Sequence, residues 1–400
     1  MRQFFQFLFL LSGLLLLNPD DIPAKTGLNP EDYSPLVGHL DSLLIVDSND
    51  QPLVSIHANV PRIPASTLKL VTALMAIHHM GPDYRFATDA SLDSKNNLRI
   101  RGYGDPLLTS EMLNELARRI SFRTRKFQDM VLDTRYFDNP IDIPGLETNT
   151  EPYNAIAGAF CANFNTIAFK KDHNGRYISD EPQTPLLPFA IEKIKLTPIQ
   201  SGRITLSHDP IENTRYAGHL VAYFLNRHDV TFSNRIRVAN DVESSERLIV
   251  RFESPHTLAA IASGMLAFSS NFIANQLFLT CGARVYGPPA TLDKAVAAAG
   301  TFCQKLGLSN GIHMVEGSGI SRQNHMTADS LGRILKLFEP HIDLMRHEGR
   351  EWFKTGTLDG IRTRAGFIAG RDGSRYRFVV MINTPGKTVD AVMKKIHEDL

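Results

Sequence analysis

Cysteine is scarce in this chain, with three in 400 residues, and tryptophan occurs once. Cys161, Cys281 and Cys303 are too few and too far apart for a disulfide framework or a thiolate metal cluster. Two readings stay open: a Cys281–Cys303 bridge in an oxidising compartment, or buried free thiols. Excess charge of either sign is also missing, the formal net charge being +1 with 21% charged residues. That removes the basic signature of a nucleic-acid binder and the acidic tail of a solvating segment. His-Glu-x-x-His does not occur, and the 14 histidines follow no ligand spacing. Internal repeats and low-complexity stretches are absent as well. What is left, 43% hydrophobic residues, describes a folded protein of any function.

Only one long apolar run is present, from Phe4 to Leu17, with Arg2 before it and Asn18-Pro19-Asp20-Asp21 after it. It falls short of the ~20 residues of a membrane-spanning helix and has no amphipathic pattern. It fits the apolar core of a signal peptide, with Ala24 a candidate end. Residues 1–24 are therefore expected to export the chain, as a cleaved signal or a retained short anchor. The remainder exceeds the roughly 250–300 residues at which single cores stop growing, so more than one domain is expected.

Periodicity divides the chain. Leu43–Asp47 and Pro52–Ile56 read as strands about the turn Ser48-Asn49-Asp50. Leu68, Val71, Thr72 and Met75 keep helical spacing, predicting a helix over Ser66–His79 that Gly81-Pro82 ends. His78 and His79 are expected to cap it or face solvent. From about Phe86 to Phe252 short strand-like runs recur, with helical patterns at Glu111–Ile120 and Thr214–Asn226. After Ser254-Pro255 helices are predicted at His256–Phe268, Phe272–Ala283 and Leu292–Leu306. Strands follow at Glu351–Thr357, Arg364–Ala369 and Arg375–Ile382, and a last helix after Asp390.

Three short motifs carry chemistry. Ser66 and Lys69, three apart at a helix start, share one face. A serine hydroxyl needs a base, and a lysine desolvated or set beside another cation can serve. Alone the pair is weak, since Ser-x-x-Lys arises about once by chance at this length. Ser269-Ser270-Asn271 lies between two predicted helices, where a helix cap is the plainer reading. Lys354-Thr355-Gly356-Thr357 lies on a predicted strand, whose edge can receive an extended peptide. Each of the last two has a decoy. Ser94-Lys95-Asn96 reads as a turn between strands, and Lys25-Thr26-Gly27 as linker. The order of the three, each in its expected local structure, is the layout of penicillin-recognising enzymes.

The chain resembles the low-molecular-mass class C penicillin-binding proteins, the D-alanyl-D-alanine carboxypeptidase/endopeptidases. Pro64-Ala65-Ser66-Thr67-Leu68-Lys69, Gly81-Pro82-Asp83-Tyr84-Arg85-Phe86 and Gly102-Tyr103-Gly104-Asp105-Pro106 carry the likeness in the first half. Glu316-Gly317-Ser318-Gly319-Ile320-Ser321-Arg322 and Lys354-Thr355-Gly356-Thr357-Leu358-Asp359-Gly360 carry it in the second. The likeness runs over about residues 36–400 and departs at Ser270 and Glu316, where aspartate is usual. It implies an α+β fold, a transpeptidase-like antiparallel sheet flanked by helices. Residues 36–85 plus 254–400 would form the catalytic domain and 86–253 an inserted strand-rich one.

By the same resemblance Ser66 is the nucleophile, Lys69 its base, and the backbone N–H groups of Ser66 and Thr357 the oxyanion site. Ser269 relays a proton, Asn271 binds substrate backbone, and Lys354 and Thr355 hold the terminal carboxylate. Gly356 allows close approach. No metal or cofactor is implied. The implied partners are peptidoglycan stem peptides and, as covalent inhibitors, β-lactam antibiotics, with no nucleic acid. The implied location is the periplasm, with peripheral membrane association through the N-terminal segment. Competing readings are a β-lactamase or other penicillin-recognising serine hydrolase, and a non-catalytic peptidoglycan binder. Trp352 is expected in the core. Arg362 and Arg364 are expected either to steer an acidic peptide or to be a plain exposed pair.

Overall fold

A computed structural model describes residues 28–239 and 245–400. The Phe4–Leu17 run, Ala24 and Lys25-Thr26-Gly27 lie outside the described residues. Among the described residues no helix is long and apolar enough to cross a membrane.

The organising element is a six-stranded antiparallel sheet. Its order is Arg346–Glu348, Glu351–Leu358, Ile361–Ala369, Arg375–Ile382, Ser42–Val46, Pro52–Ile56. The first hairpin of the chain thus pairs with its last strand, and everything between hangs off one sheet. Period-two alternation sends successive residues to opposite faces, and in the central strands Ser42–Val46 and Arg375–Ile382 both faces are buried, so these two read as nearly unbroken apolar runs. Leu44, Ala365, Phe367, Val379 and Met381 pack against helices that include Lys69–Met80, Leu258–Phe268, Asn271–Tyr286 and Ala328–Phe338. Leu43, Ile45, Phe378, Val380 and Ile382 pack against Val392, Met393 and Ile396 of the closing helix Val389–Asp399. The structure therefore has the α+β, sheet-and-helix architecture expected from the sequence.

The 86–253 stretch builds two further sheets. One has five strands, in the order Glu246–Glu253, Ala87–Asp93, Leu98–Gly102, Met130–Asp133, Ile236–Val238, and the last three run parallel. The other has three, Tyr177–Ser179, Thr166–Lys171 and Gly202–Thr205. Helices Ser110–Ser121 and Pro210–Arg227 supply Leu113, Leu116, Leu220 and Val221 to its separate core. The stretch also sends residues elsewhere. Phe137, Ile143, Ala155 and Ala159 belong to the core that surrounds helix Lys69–Met80.

Several expectations shift. The helix predicted over Ser66–His79 begins as a 3₁₀ turn, Ala65–Leu68, and becomes α-helical only at Lys69–Met80. Ala65 has φ 48, which an α-helix does not accommodate. Gly81, at φ 84, donates its N–H to the Ile77 carbonyl and ends the helix, so the histidines do not cap it. His78 faces solvent, as one of the two expectations had it, and His79 is half-buried; their rings pack on each other and on Phe302. The cysteines are free and buried, and burial pushes the Cys281 thiol up to about 12 and the Cys303 thiol to about 11. Ser94-Lys95-Asn96 is a turn, with the Asp93 carboxylate accepting from the N–H groups of Lys95 and Asn97. Trp352 is half-buried and stacks on His347 at 4.4 Å between ring centroids.

Candidate active site

Local sequence places each motif. The turn at Ser66 is clamped from two sides. Thr67 Oγ1 and Thr363 Oγ1 both donate to the Pro64 carbonyl, at 2.6 and 2.8 Å. Gly356 lies against the same turn: a Cβ there would sit 2.8 Å from Ser66 N and 2.9 Å from Pro64 O. Glycine at 356 is thus what lets the strand touch the backbone of Ser66. Ser269 closes helix Leu258–Phe268 in the left-handed region, φ 55, and Ser270 opens helix Asn271–Tyr286, its hydroxyl accepting from Ile273 N–H. Ser270 is therefore the N-cap, a task aspartate also performs, which accounts for the substitution there.

The side chains converge. Lys69 Nζ, fully buried, lies 2.8 Å from Ser66 Oγ, 2.8 Å from Asn271 Oδ1 and 2.7 Å from the Ser318 carbonyl. Burial holds its pKa well below that of a free lysine, and the charge of Lys354 pushes the same way, while Glu316 opposes. An ammonium has three protons for three acceptors. Once one proton is lost, the Asn271 and Ser318 oxygens can occupy both remaining N–H groups, and the lone pair faces Ser66 Oγ. This is the geometry a general base requires. In a 3₁₀ turn side chains at i and i+3 eclipse, so the unexpected turn at Ala65–Leu68 brings Ser66 under Lys69.

Lys354 Nζ donates to Ser269 Oγ at 2.9 Å and to the Thr355 carbonyl at 2.7 Å. Burial lowers its pKa to about 8, with a further push from Arg346. A cleft of about 740 Å³ opens over Ser66, Ser269, Asn271 and Thr357. The outermost sheet strand pairs only with Glu351, Trp352 and Phe353, so it leaves the edge from Lys354 onward without a strand partner. Thr355 is exposed on that strand but is not among the residues lining the cleft. Arg362 lines the cleft mouth, while Arg364 is half-buried and paired with Glu351 at 2.9 Å. The two arginines thus differ, and Arg364 is not an exposed cation.

Sequence reasoning missed two participants. The carbonyl of Ser318 is one of the acceptors of Lys69, and a backbone oxygen leaves no side-chain signature. Glu316 positions that carbonyl. Its buried carboxylate accepts from Ser318 N and Oγ, Gly319 N and Asn324 Nδ2, at 2.6–2.7 Å. The Gly-Ser-Gly run behind an acid was a readable signal of such a tight turn. The 86–253 stretch also enters the site: Glu147, Tyr153 and Asn154 line the cleft, and Asn271 Nδ2 donates to the Tyr153 carbonyl at 3.2 Å.

Comparison with known proteins bears on the family and the fold. D-alanyl-D-alanine carboxypeptidase DacB of Haemophilus influenzae is 22% identical, over 93% of this chain and 92% of that one. The D-alanyl-D-alanine carboxypeptidase of Actinomadura sp. is 23% identical, over 84% of this chain and 77% of its own. The fold matches the crystal structure of penicillin-binding protein 4 from Haemophilus influenzae, with a TM-score of 0.75, 19% identity, and coverage of 92% and 99%. A predatory endopeptidase of Bdellovibrio bacteriovorus matches with a TM-score of 0.53, 16% identity, and coverage of 89% and 92%. The profile of the D-Ala-D-Ala carboxypeptidase 3 (S13) family matches residues 35–195 and 194–345, and the chain belongs to that family.

Proposed function

We propose that this protein is an exported serine DD-peptidase that cleaves the bond between terminal D-alanines of peptidoglycan stem peptides. Ser66 Oγ attacks the carbonyl while Lys69 takes its proton. The N–H groups of Ser66 and Thr357 receive the oxyanion. Ser269 passes a proton to the leaving amine, and the acyl group stays on Ser66 until water releases it. Asn271 holds the substrate backbone and Lys354, beside Ser269, holds the carboxylate; Thr355, outside the cleft lining, takes no part. A D-alanine cross-link presents the same bond with a longer leaving amine, so endopeptidase cleavage uses the same steps. A β-lactam acylates the same serine. The periplasmic location rests on the Phe4–Leu17 run.

The observation that carries this reading is the cradle around Lys69: one buried amine within 2.8 Å of a serine hydroxyl and two other acceptors. Release of D-alanine from a stem-peptide mimic tests it. The full chain should release D-alanine, and Ser66→Ala should release none. Release by the variant at the wild-type rate would overturn the assignment.

The two lysines set a pH dependence of opposite signs. Lys69 acts unprotonated, so kcat/KM should rise with pH through its lowered pKa. Lys354 acts protonated, so kcat/KM should fall again above about 8. Lys354→Arg, with a side chain that keeps its proton, should lose the alkaline limb and keep the acid one. An alkaline limb unchanged in that variant would remove Lys354 from this role.

A further inference from the structure

The helix Ser110–Ser121 ends in a run of cations far richer than the chain as a whole. Arg118, Arg119, Arg123, Arg125 and Lys126 fall within nine residues and are all exposed. Phe122 stands among them with 68% of its surface in solvent. A second loop is tied alongside. Thr231 N donates to the Arg125 carbonyl at 3.0 Å, and Arg125 Nη1 donates to the His228 carbonyl at 2.6 Å. That loop adds Arg227 and Arg235, both exposed.

Neutralisation is incomplete. Glu115 is shared by Arg118 and Arg119, and Asp129 lies 3.7 Å from Arg235. With Asp229 that makes, among the described residues of these two segments, three carboxylates against seven cations, in a chain whose total is only +1. The side chains of Arg123 and Lys126 have no ion-pair or hydrogen-bond partner among the described residues. None of these groups lines the catalytic cleft.

We propose that this end of the inserted region, the turn Phe122–Lys126 with the loop Arg227–Arg235 beside it, docks on an anionic phospholipid bilayer. The cations meet lipid phosphates, and Phe122 enters the boundary between headgroups and acyl chains. A dissolved polyanion would use the cations and leave the ring in water. A bilayer engages both. Arg118 already sits 5.3 Å from the Phe122 ring, which places a phosphate-binding group at the level where the ring would enter. The inference does not depend on the chemistry at Ser66.

Sedimentation of the full chain with lipid vesicles tests it. The Phe4–Leu17 run partitions into any bilayer, so the readout is the ratio of binding to phosphatidylglycerol-containing vesicles over pure phosphatidylcholine ones. That ratio should be well above one and fall with added salt. Arg123→Gln with Lys126→Gln should lower binding to the anionic vesicles by about thirtyfold, at about fivefold per cation. Phe122→Ser should lower it by about tenfold. Both variants should keep the wild-type far-ultraviolet circular dichroism spectrum and unfold cooperatively, which reports that they are folded. A ratio of one in the wild type overturns the proposal, as do variants with an unchanged ratio. Capture by heparin or isolated sacculi through these cations, without vesicle preference, also overturns it.

Discussion

Replacing Lys69 by methionine should slow penicillin acylation of Ser66 by about 10³–10⁴-fold, the upper range for loss of a positioned general base. Methionine fills most of the volume and removes the amine. The substitution leaves the Asn271 side chain and the Ser318 carbonyl without their shared donor, so a loss of about 1–3 kcal/mol in stability should accompany it. Lys69→Arg separates charge from basicity. A guanidinium can donate to the same oxygens but cannot accept the serine proton. It should therefore be as slow as methionine, and acylation within tenfold of wild type by Lys69→Arg would show that Lys69 serves as a charge rather than a base. The rate of labelling by a fluorescent penicillin reads both.

Gly319→Ala should be nearly as damaging, although residue 319 is not proposed to touch substrate. Gly319 has φ +82, and a Cβ there would collide with the Ala65 carbonyl and reach 3.2 Å from Ser66 N. The left-handed backbone costs about 1–2 kcal/mol for a residue with a side chain. The collision pushes directly on the turn that carries Ser66, and a displacement of about 1 Å costs roughly 10²-fold in rate. Gly373→Ala is the matched control. It shares φ +82 but has nothing within 4 Å of the added carbon. It should lose a similar backbone contribution to stability and acylate normally. Equal acylation rates in the two variants would mean that the loop at 319 does not hold Ser66 in place.

What could be read in the chain follows from how local each cause is. The strands Pro52–Ile56 and Arg375–Ile382 announced themselves because alternation and turn residues are local properties. The helix Ala328–Phe338 was not anticipated, although Leu331, Ile334, Leu335 and Phe338 keep helical spacing. The strand Ala87–Asp93 hid because Thr88, Asp89, Ser91 and Asp93 are buried polar residues of a strand covered on both sides. At the site, Ser66, Lys69, Ser269, Asn271 and Lys354 were legible as motifs in order. Their mutual distances come from packing: Ser318 is 249 positions from Lys69 and supplies only a backbone oxygen. The 3₁₀ turn under Ser66 was likewise invisible, since Ala65 gives no hint of φ 48. It is imposed by the docking of Pro64 on Thr363 and of Gly319 on Ala65. The entry of Glu147 and Tyr153 into the cleft could not be seen from texture, because that stretch reads as part of the inserted region.

The chemistry of Ser66 is tested most directly by the mass of the intact protein after incubation with penicillin, followed by peptide mapping. One penicilloyl group per chain is expected, on the peptide that contains Ser66, persisting through the time of the measurement and absent from Ser66→Ala. A folded protein that takes no adduct, or that carries it on a peptide without Ser66, would contradict the account.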